Sequence, residues 1–301
     1  MRSLTRTIVY AFPVLAVLAS LCIAYSYFIE PDHLVVNSHE LKIKDLSKEF
    51  DGLKIVAVSD IHGGSRGGEV EKIQRIVKTV NEQNPDIIVL LGDFVSEKGE
   101  PVKIGEQPLL MDLETLSSAL TGFRAKYGTY AVLGNHDYWH SDSAVANALE
   151  RAKIVVLENE IIGLNINGVT LRILGLKDHM HIKSQDRYNA EVRKVVENSV
   201  PGKDIVILQH SPDVFPIVAG TNKVSNDIRL FLAGHTHGGQ VWLPILGTPM
   251  IPSSYGQKYA RGHIRENDVD MFVTTGTGTS LLPFRFMMPP EIAVLTLRSS
   301  N

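Results

Sequence analysis

The sequence predicts an α/β domain with mixed β-sheets, preceded by a transmembrane helix. Three observations predict this arrangement: a long uncharged apolar run near the N-terminus, short apolar runs that alternate with helical periodicity, and a hairpin signal in mid-chain. The chain has 301 residues, of which 44% are hydrophobic, enough for one large domain. Neither an internal repeat nor a second domain boundary is visible in the sequence.

The N-terminal segment favours a membrane anchor. Residues 8–28 carry no charge, and about 20 apolar residues match the thickness of a bilayer core. Arg2 and Arg6 precede the run, whereas Glu30 and Asp32 follow it. By the positive-inside tendency, the N-terminus stays cytoplasmic and the rest of the chain is extracytoplasmic.

Two other interpretations of this segment remain open. Ala24-Tyr25-Ser26 has the small-x-small pattern of a signal-peptide cleavage site, although the apolar run is long for a signal core. The segment is less typical of a buried helix in a soluble domain, because it has no polar face. We therefore expect residues 1–32 to be an anchor and short linker.

Composition limits the functional classes. Charged residues make up 21% of the chain and the net charge is -3, so no basic surface for nucleic acid is indicated. Cys22 is the single cysteine, which excludes an internal disulfide. The sequence does not indicate the oligomeric state.

Strands and helices alternate after the anchor. Residues 33–43 resemble an edge strand or hairpin, and the hairpin signal is Asn165-Ile166-Asn167-Gly168 within residues 161–176. The other predicted strands are short apolar runs at residues 54–58, 86–91, 129–133, 154–157, 205–208, 228–232, 271–273 and 292–297. The predicted helices lie at residues 70–84, 109–123, 144–152 and 186–198.

Polar side chains follow five of these strands. Ligands of open α/β sheets bind beyond the carboxyl ends of the strands, so we expect these side chains to meet at one edge. The candidate metal ligands are Asp60, His62, Asp93, Asn135, His210, His235 and His237.

These residue types suit two divalent cations. Imidazole favours zinc or iron, carboxylates favour harder ions such as manganese, and the two oxygens of Asp93 can bridge a pair of ions. Two ions about 3.5–4 Å apart can hold a bridging hydroxide as the nucleophile for phosphoryl chemistry. His136 is the candidate catalytic side chain outside the ligand set, and Asp137 is expected to hydrogen-bond its imidazole.

Each motif alone is weak evidence for a metal site. Their occurrence together, in this order and at strand ends, favours one. Closed structural zinc sites usually have four thiolate-rich ligands, which this thiolate-free set of seven does not match. A catalytically silent interaction module remains the alternative function, although such a protein would be expected to lack some ligands.

The ordered motifs Asp-x-His, Gly-Asp, Gly-Asn-His-Asp, His and Gly-His-x-His resemble the calcineurin-like metallophosphoesterase superfamily over residues 54–298. The resemblance implies a sandwich of two mixed sheets flanked by helices, here over residues 33–301. It also implies two ligand sets that share Asp93, with His136 outside them. One set is Asp60, His62, Asp93 and His237, and the other is Asp93, Asn135, His210 and His235.

A finer resemblance is to the membrane-associated YkuE/YaeI-like branch of the superfamily. Two positions depart from it: Ser96 stands where many relatives have an acid, and Thr274-Thr275 stands where relatives often have Ser-Arg. The marks of the branch are GGQVWLP at residues 238–244, KYARG at 258–262 and GTGTSLLPFRFMMPPEI at 276–292.

The last of these marks bears on the substrate. An apolar cluster surrounds Arg285, and its exposure near the site would suit a lipid-linked phosphate such as a UDP-diacylglucosamine-type lipid. Packing of the same cluster in the core is the competing interpretation. The remaining histidines fit no motif and are expected mostly on the surface or in loops: His33, His39, His140, His179, His181 and His263. Two alternatives stay open: His179 and His181, with Asp178, imitate a ligand pair but have no strand-end partner, and His140 is close enough in sequence to the catalytic loop to line the pocket.

Overall fold

The computed structural model describes residues 2–99 and 108–300. Two six-stranded mixed sheets form the body of the domain. In sheet order, the first contains β1 (Val35–Lys44), β12 (Glu291–Ser300), β2 (Lys54–Val58), β3 (Ile87–Leu91), β4 (Thr129–Val132) and β5 (Val155–Val156). The second contains β10 (Gly262–Glu266), β11 (Val269–Val273), β9 (Ile228–Ala233), β8 (Asp204–Leu208), β7 (Val169–Gly175) and β6 (Glu160–Ile166).

The strands that carry candidate ligands are parallel within each sheet. In the first sheet, β2 to β5 run parallel, and β12 joins them antiparallel to β2 and parallel to β1. In the second, β7, β8, β9 and β11 run parallel, with antiparallel β6 and β10 at the two edges. The carboxyl ends of the parallel strands within each sheet therefore lie at a common edge.

Helices cover the outer faces of both sheets. Between the sheets, side chains from both inner faces form one apolar core. The helices are α1 (Arg2–Phe28), α2 (Val70–Glu82), α3 (Leu113–Leu120), α4 (Asn135–His140), α5 (Asp142–Arg151), α6 (Gln185–Glu197) and α7 (Phe215–Val218). A second core joins the outer face of the first sheet to α2, α3 and α5, and a third joins the second sheet to α6 and α7.

Burial on both faces explains the sequence of the central strands. All five residues of β3 are buried, so this strand is a continuous apolar run without polar alternation. In α2, Ile73, Ile76, Val77 and Val80 are buried at helical spacing, as the sequence predicts. The predicted fold class of two mixed sheets flanked by helices is confirmed.

Some local predictions differ from the structure. The helix predicted at residues 109–123 begins only at Leu113, because the side chain of Asp112 caps it and Leu109 pairs with Glu97 instead. The β10–β11 hairpin was not predicted. Its turn residues Asn267 and Asp268 have φ of 52° and 59°, a left-handed turn without the glycine that signals one in sequence.

The N-terminal helix α1 is long and apolar enough to cross a membrane. Its described side chains are mostly exposed, including Leu15, Leu18 and Leu21 at 52–63%. Its C-terminal end contacts the domain, since the backbone N–H of Arg285 donates to the carbonyl of Ser26 at 3.0 Å.

Candidate metal centre

The two sheets deliver the candidate ligands to one place. Asp60 and His62 follow β2, Asp93 follows β3, and Asn135 follows β4. From the second sheet, His210 follows β8, while His235 and His237 follow β9. Six of the seven side chains are buried, with exposures of 0–5%, and His235 is partly buried. The structure thus brings together all seven residues that the sequence predicts.

The first group of facing donor atoms contains Asp60, His62 and His237. The Nε2 atoms of His62 and His237 lie 3.1 Å apart, and Nε2 of His237 lies 3.3 Å from Oδ1 of Asp60. Oδ2 of Asp93 is 3.6 Å from Nε2 of His62. The donor atoms of Asp60, His62 and His237 lie close enough to share one ion, and Oδ2 of Asp93 lies beside that of His62.

The second group centres on His210. Its Nε2 lies 3.2 Å from Oδ2 of Asp93, 3.2 Å from Oδ1 of Asn135 and 3.1 Å from Nδ1 of His235. Oδ2 of Asp93 therefore faces both groups. We expected Asp93 to bridge through its two oxygens, but Oδ1 instead accepts a hydrogen bond from the backbone N–H of His136 at 2.9 Å.

These separations fit a divalent cation. Ligands about 2.1 Å from an ion lie roughly 3.0–3.4 Å from one another in octahedral or tetrahedral arrangements. In addition, Oδ1 of Asp60 is buried and has no hydrogen-bond partner among the described residues. A buried carboxylate oxygen without a donor is costly, and a cation would satisfy it.

The electrostatics of the two groups also favour cations. Burial lowers the pKa of His62 and of His235 to about 3, so both imidazoles are neutral and offer lone pairs. Burial alone would lower the pKa of His210, but the carboxylate of Asp93 raises it to about 10. A proton on His210 thus neutralises Asp93, which is the role that a bound cation would take over.

The backbone holds five of these residues in the left-handed region. The φ angles are 54° for Asp60, 47° for His62, 55° for Asp93, 69° for His235 and 51° for His237. Each such conformation costs about 1–3 kcal/mol and persists only where the surroundings impose it. Strain concentrated at the candidate ligands supports a functional role for them.

Two glycines give the ligand loops room to approach. A Cβ at Gly134 would overlap Oδ1 of Asp93, and a Cβ at Gly234 would overlap Oγ of Ser59. The Gly-Asn-His and Gly-His-x-His motifs therefore need glycine, since a neighbouring side chain packs directly against the backbone at each of these two positions.

The structure corrects the expected partner of His136. Oε2 of Glu97, and not Asp137, lies 2.8 Å from Nδ1 of His136. The carboxylate of Asp137 instead accepts hydrogen bonds from the backbone N–H groups of Gly134, Asp93, Phe94 and Val95. The Asp137 side chain points toward the loops that follow β3 and β4. It does so because Asp137 occupies the first turn of α4, where a carboxylate caps free N–H groups.

Asp137→Asn is therefore expected to destabilise the fold. The replacement amide group would face two of the four backbone N–H donors, and each donor left unsatisfied costs about 1–3 kcal/mol. The measurement is the thermal unfolding midpoint of the full chain in detergent. Asp186→Asn in the first turn of α6, which is exposed, is the matched control. Equal midpoints for the two variants would contradict the structural role of Asp137.

Several residues at the site were not predicted. Ser96, at the departure from the family pattern, places Oγ 3.1 Å from Nδ1 of His62. His179 was expected outside the site, yet its ring centroid lies 5.2 Å from that of His235. Nδ1 of His179 lies 3.0 Å from the buried carboxylate of Asp178. The position of this pair just beyond β7 was the signal in the sequence that could have found it.

Arg285 lies where the core-packing interpretation of its segment places it. It is fully buried, and its guanidinium donates hydrogen bonds to the carbonyl groups of Gly278, Thr275 and Met288. One of its terminal nitrogens lies 3.3 Å from Nδ1 of His237. Arg285 thus supports the first ligand group from behind, and an exposed phosphate contact by this side chain is excluded. Around it, Leu281, Leu282 and Met287 are exposed and Met288 is buried.

Comparison with known proteins identifies the family. Residues 53–239 match the family model described as calcineurin-like phosphoesterase. The chain belongs to the calcineurin-like phosphoesterase family. The resemblance drawn from the sequence motifs is confirmed, because the matched range carries all seven candidate ligands.

Relatives within the calcineurin-like phosphoesterase family include membrane proteins. The chain is 31% identical to the uncharacterized metallophosphoesterase YkuE of Bacillus subtilis, over 92% of this chain and 90% of that protein. It is 30% identical to an uncharacterized metallophosphoesterase of Helicobacter pylori, over 86% of this chain and 65% of that protein. A transmembrane protein with metallophosphoesterase domain from Danio rerio is 28% identical, over 87% of this chain and 56% of that protein.

A solved structure with partial similarity was also found. The NAD nucleotidase of Haemophilus influenzae superposes with a TM-score of 0.48 and 15% identity, covering 75% of this chain and 51% of that one.

Proposed function

We propose that the protein hydrolyses phosphate ester or pyrophosphate bonds with two divalent cations held at the candidate centre. The observation that carries this proposal is the pair of facing donor groups that share Oδ2 of Asp93. Manganese is the ion we favour, because the donors mix imidazole with carboxylate and amide oxygens; iron and zinc are the alternatives. When bound, such ions activate water and neutralise phosphate oxygens.

The ligand assignment follows the geometry of the two groups. We propose that Asp60, His62, Asp93 and His237 hold one cation and that Asp93, Asn135, His210 and His235 hold the other. The low pKa values of His62 and His235, which result from burial, keep these imidazoles ready to bind without first losing a proton.

His136 has the features of a catalytic side chain outside the ligand sets. It stands edge-on to the ring of His62 with centroids 4.8 Å apart, and 15% of its side chain is exposed. Burial alone would lower its pKa, but Asp93 and Glu97 together raise it. A protonated His136 can stabilise the charge that develops on a transferring phosphoryl group or protonate the leaving oxygen. Glu97 holds the ring in place through Nδ1.

The complete set of candidate ligands and the strained loops that carry them argue against the alternative of a catalytically silent interaction module. Every candidate ligand is retained, and the strained loop conformations cost stability that an interaction module would not require.

We further propose a lipid-linked substrate such as a UDP-diacylglucosamine-type lipid. Support comes from α1 and from exposed Leu281, Leu282 and Met287, which lie in the segment that ends beside the metal centre. This segment reaches the centre directly, since Gly278 N–H donates to the carbonyl of Asp60 at 2.7 Å.

A substrate panel tests the proposed function. The purified full chain, supplied with manganese, is assayed on phosphomonoesters, phosphodiesters and nucleotide-lipid pyrophosphates, with metal content measured in parallel. Hydrolysis that EDTA abolishes and manganese restores is the expected result. Absence of bound metal after supplementation would contradict the reaction class. Turnover of soluble substrates alone would contradict the lipid-linked substrate and leave the reaction class intact.

We propose that α1 spans the cell membrane once and places the catalytic domain outside the cytoplasm. Arg2 and Arg6 before the apolar run, with Glu30 and Asp32 after it, support this orientation. Protease added to intact cells with a permeabilised outer layer is expected to digest the domain. Protection of the domain, with digestion only after lysis of the inner membrane, would refute the orientation.

A further inference from the structure

Residues 280–287 form a surface segment with an unusual share of exposed apolar side chains; we call it the rim segment. Leu281 is 89% exposed, Met287 is 47% exposed and Leu282 is 43% exposed. Leu281 and Met287 also have φ of 56° and 53°, left-handed conformations that are rare for large side chains. The fold thus holds large apolar groups in water at a cost in backbone conformation.

The rim segment is fastened to the end of α1. Arg285 N–H donates to the carbonyl of Ser26 at 3.0 Å. The carboxylate of Glu30, which is 2% exposed, accepts hydrogen bonds from the backbone N–H groups of Met287 and Met288. A buried carboxylate with two backbone donors is a strong attachment, so the rim segment and the helix end move together.

Basic side chains of the domain also contact the C-terminal end of α1 and the residues that follow it. Nε of Arg66 donates to the carbonyl of Tyr27 at 2.7 Å, and its guanidinium lies 4.8 Å from the centroid of the Tyr27 ring. Lys72 pairs with the Asp32 carboxylate, and Arg75 donates to the Asp32 carbonyl at 2.7 Å. Cationic and aromatic groups at the end of an apolar helix are typical of the headgroup region of a bilayer.

These contacts determine where the membrane lies relative to the domain. If α1 crosses the bilayer, the headgroup region lies at about residues 27–32, where the apolar run gives way to charged residues. The rim segment is hydrogen-bonded to Ser26 and Glu30, so it lies at the same depth. Phe28 and Ile29, 64% and 55% exposed, extend the apolar surface from α1 toward it.

We propose that the rim segment is a second membrane contact and rests in the headgroup region of the bilayer that α1 crosses. Leu281, Leu282 and Met287 are the side chains that enter the lipid. Their exposure to water in the isolated chain is then explained, because lipid covers them. This contact rests on the proposal that α1 spans the membrane and does not depend on the proposed hydrolytic activity.

Spin labels test the depth of the rim segment in the full chain. In a Cys22→Ser background, Leu281→Cys and Met287→Cys are labelled with a nitroxide and reconstituted in phosphatidylethanolamine–phosphatidylglycerol vesicles. Val200→Cys is the matched control, since Val200 is 47% exposed and precedes β8, at the sheet edge opposite the metal centre. The readout is the relaxation of each label by dissolved oxygen and by a water-soluble nickel chelate.

Labels at 281 and 287 are expected to be relaxed more by oxygen than by the nickel chelate, with the reverse at 200. A nickel accessibility at 281 and 287 equal to that at 200 would overturn the proposal. So would dipolar broadening between labels at 281 with low accessibility to both probes, because that result would mean that a second copy of the chain covers the surface. Neither measurement uses catalysis, so a failure of the proposed function leaves the test intact.

Discussion

His136→Ala is expected to lower kcat by about 10²–10⁴-fold, the usual contribution of a positioned acid or base, while bound metal is unchanged. The reason is that the His136 side chain belongs to neither proposed ligand set, although it lies beside His62 and Asp93, and its Nδ1 is occupied by Glu97. Its other ring nitrogen is left to face the substrate. The measurement combines steady-state kinetics with elemental analysis of the same preparation.

Glu97→Gln provides the companion measurement for His136. In the wild type the Glu97 carboxylate raises the pKa of His136, so loss of its charge in Glu97→Gln lowers that pKa. If the protonated imidazole is required, activity falls as pH rises through that pKa. The alkaline limb of the kcat profile is therefore expected to move to lower pH in Glu97→Gln. Loss of metal in His136→Ala, or an unchanged pH profile in Glu97→Gln, would contradict these roles.

Asp93→Asn is expected to have the other large effect, a loss of both cations and of roughly 10³-fold or more in kcat/KM. Oδ2 of Asp93 faces both donor groups, and an amide in its place supplies no negative charge between two cations. Charge stabilisation by bound metal contributes several kcal/mol to such reactions, and each 1.36 kcal/mol corresponds to about a tenfold change in rate.

The control for Asp93→Asn is Asp204→Asn. Asp204 is also fully buried, but it pairs with Arg229 at the start of β8, at the opposite end of that strand from His210. This control separates loss of metal from loss of a buried carboxylate. Retention of two metal equivalents by Asp93→Asn would show that the carboxylate does not bridge the sites.

Much of the metal centre was predictable because it follows from local patterns. A short apolar run predicts a buried strand, and a polar residue directly after it predicts a position at the sheet edge. Asp60, Asp93 and His210 each follow this rule. Asp178 and His179 follow β7 in the same way, but the sequence of residues 161–176 indicates a hairpin and no strand end beside the site, so the rule did not favour them.

Other features depend on contacts that periodicity does not encode. The Asp137 carboxylate accepts hydrogen bonds from four backbone N–H groups because Asp137 lies in the first turn of α4, whereas the sequence indicates only a turn there. The acid that faces His136 is at position 97, one residue beyond the family position at Ser96. Ser96, the residue before it, contacts Nδ1 of His62.

The sequence left two interpretations of Arg285 open, exposure beside the site and packing in the core. The acceptors that a buried arginine needs come from the tertiary fold, so sequence patterns could not decide between the two. Here a curved loop turns several carbonyl groups toward it. The backbone of the same loop, in turn, binds Glu30, which lies more than 250 residues earlier in the chain.

The attachment of α1 through Ser26 and Glu30 has a kinetic consequence. An enzyme held at a fixed height over a lipid surface searches in two dimensions. Its rate would then follow the mole fraction of substrate within the bilayer and would change little with bulk lipid concentration. Inert lipid added while the total amount of lipid substrate is kept constant lowers the mole fraction of the substrate and should slow such an enzyme. A freely diffusing hydrolase with the same active centre would not respond in this way.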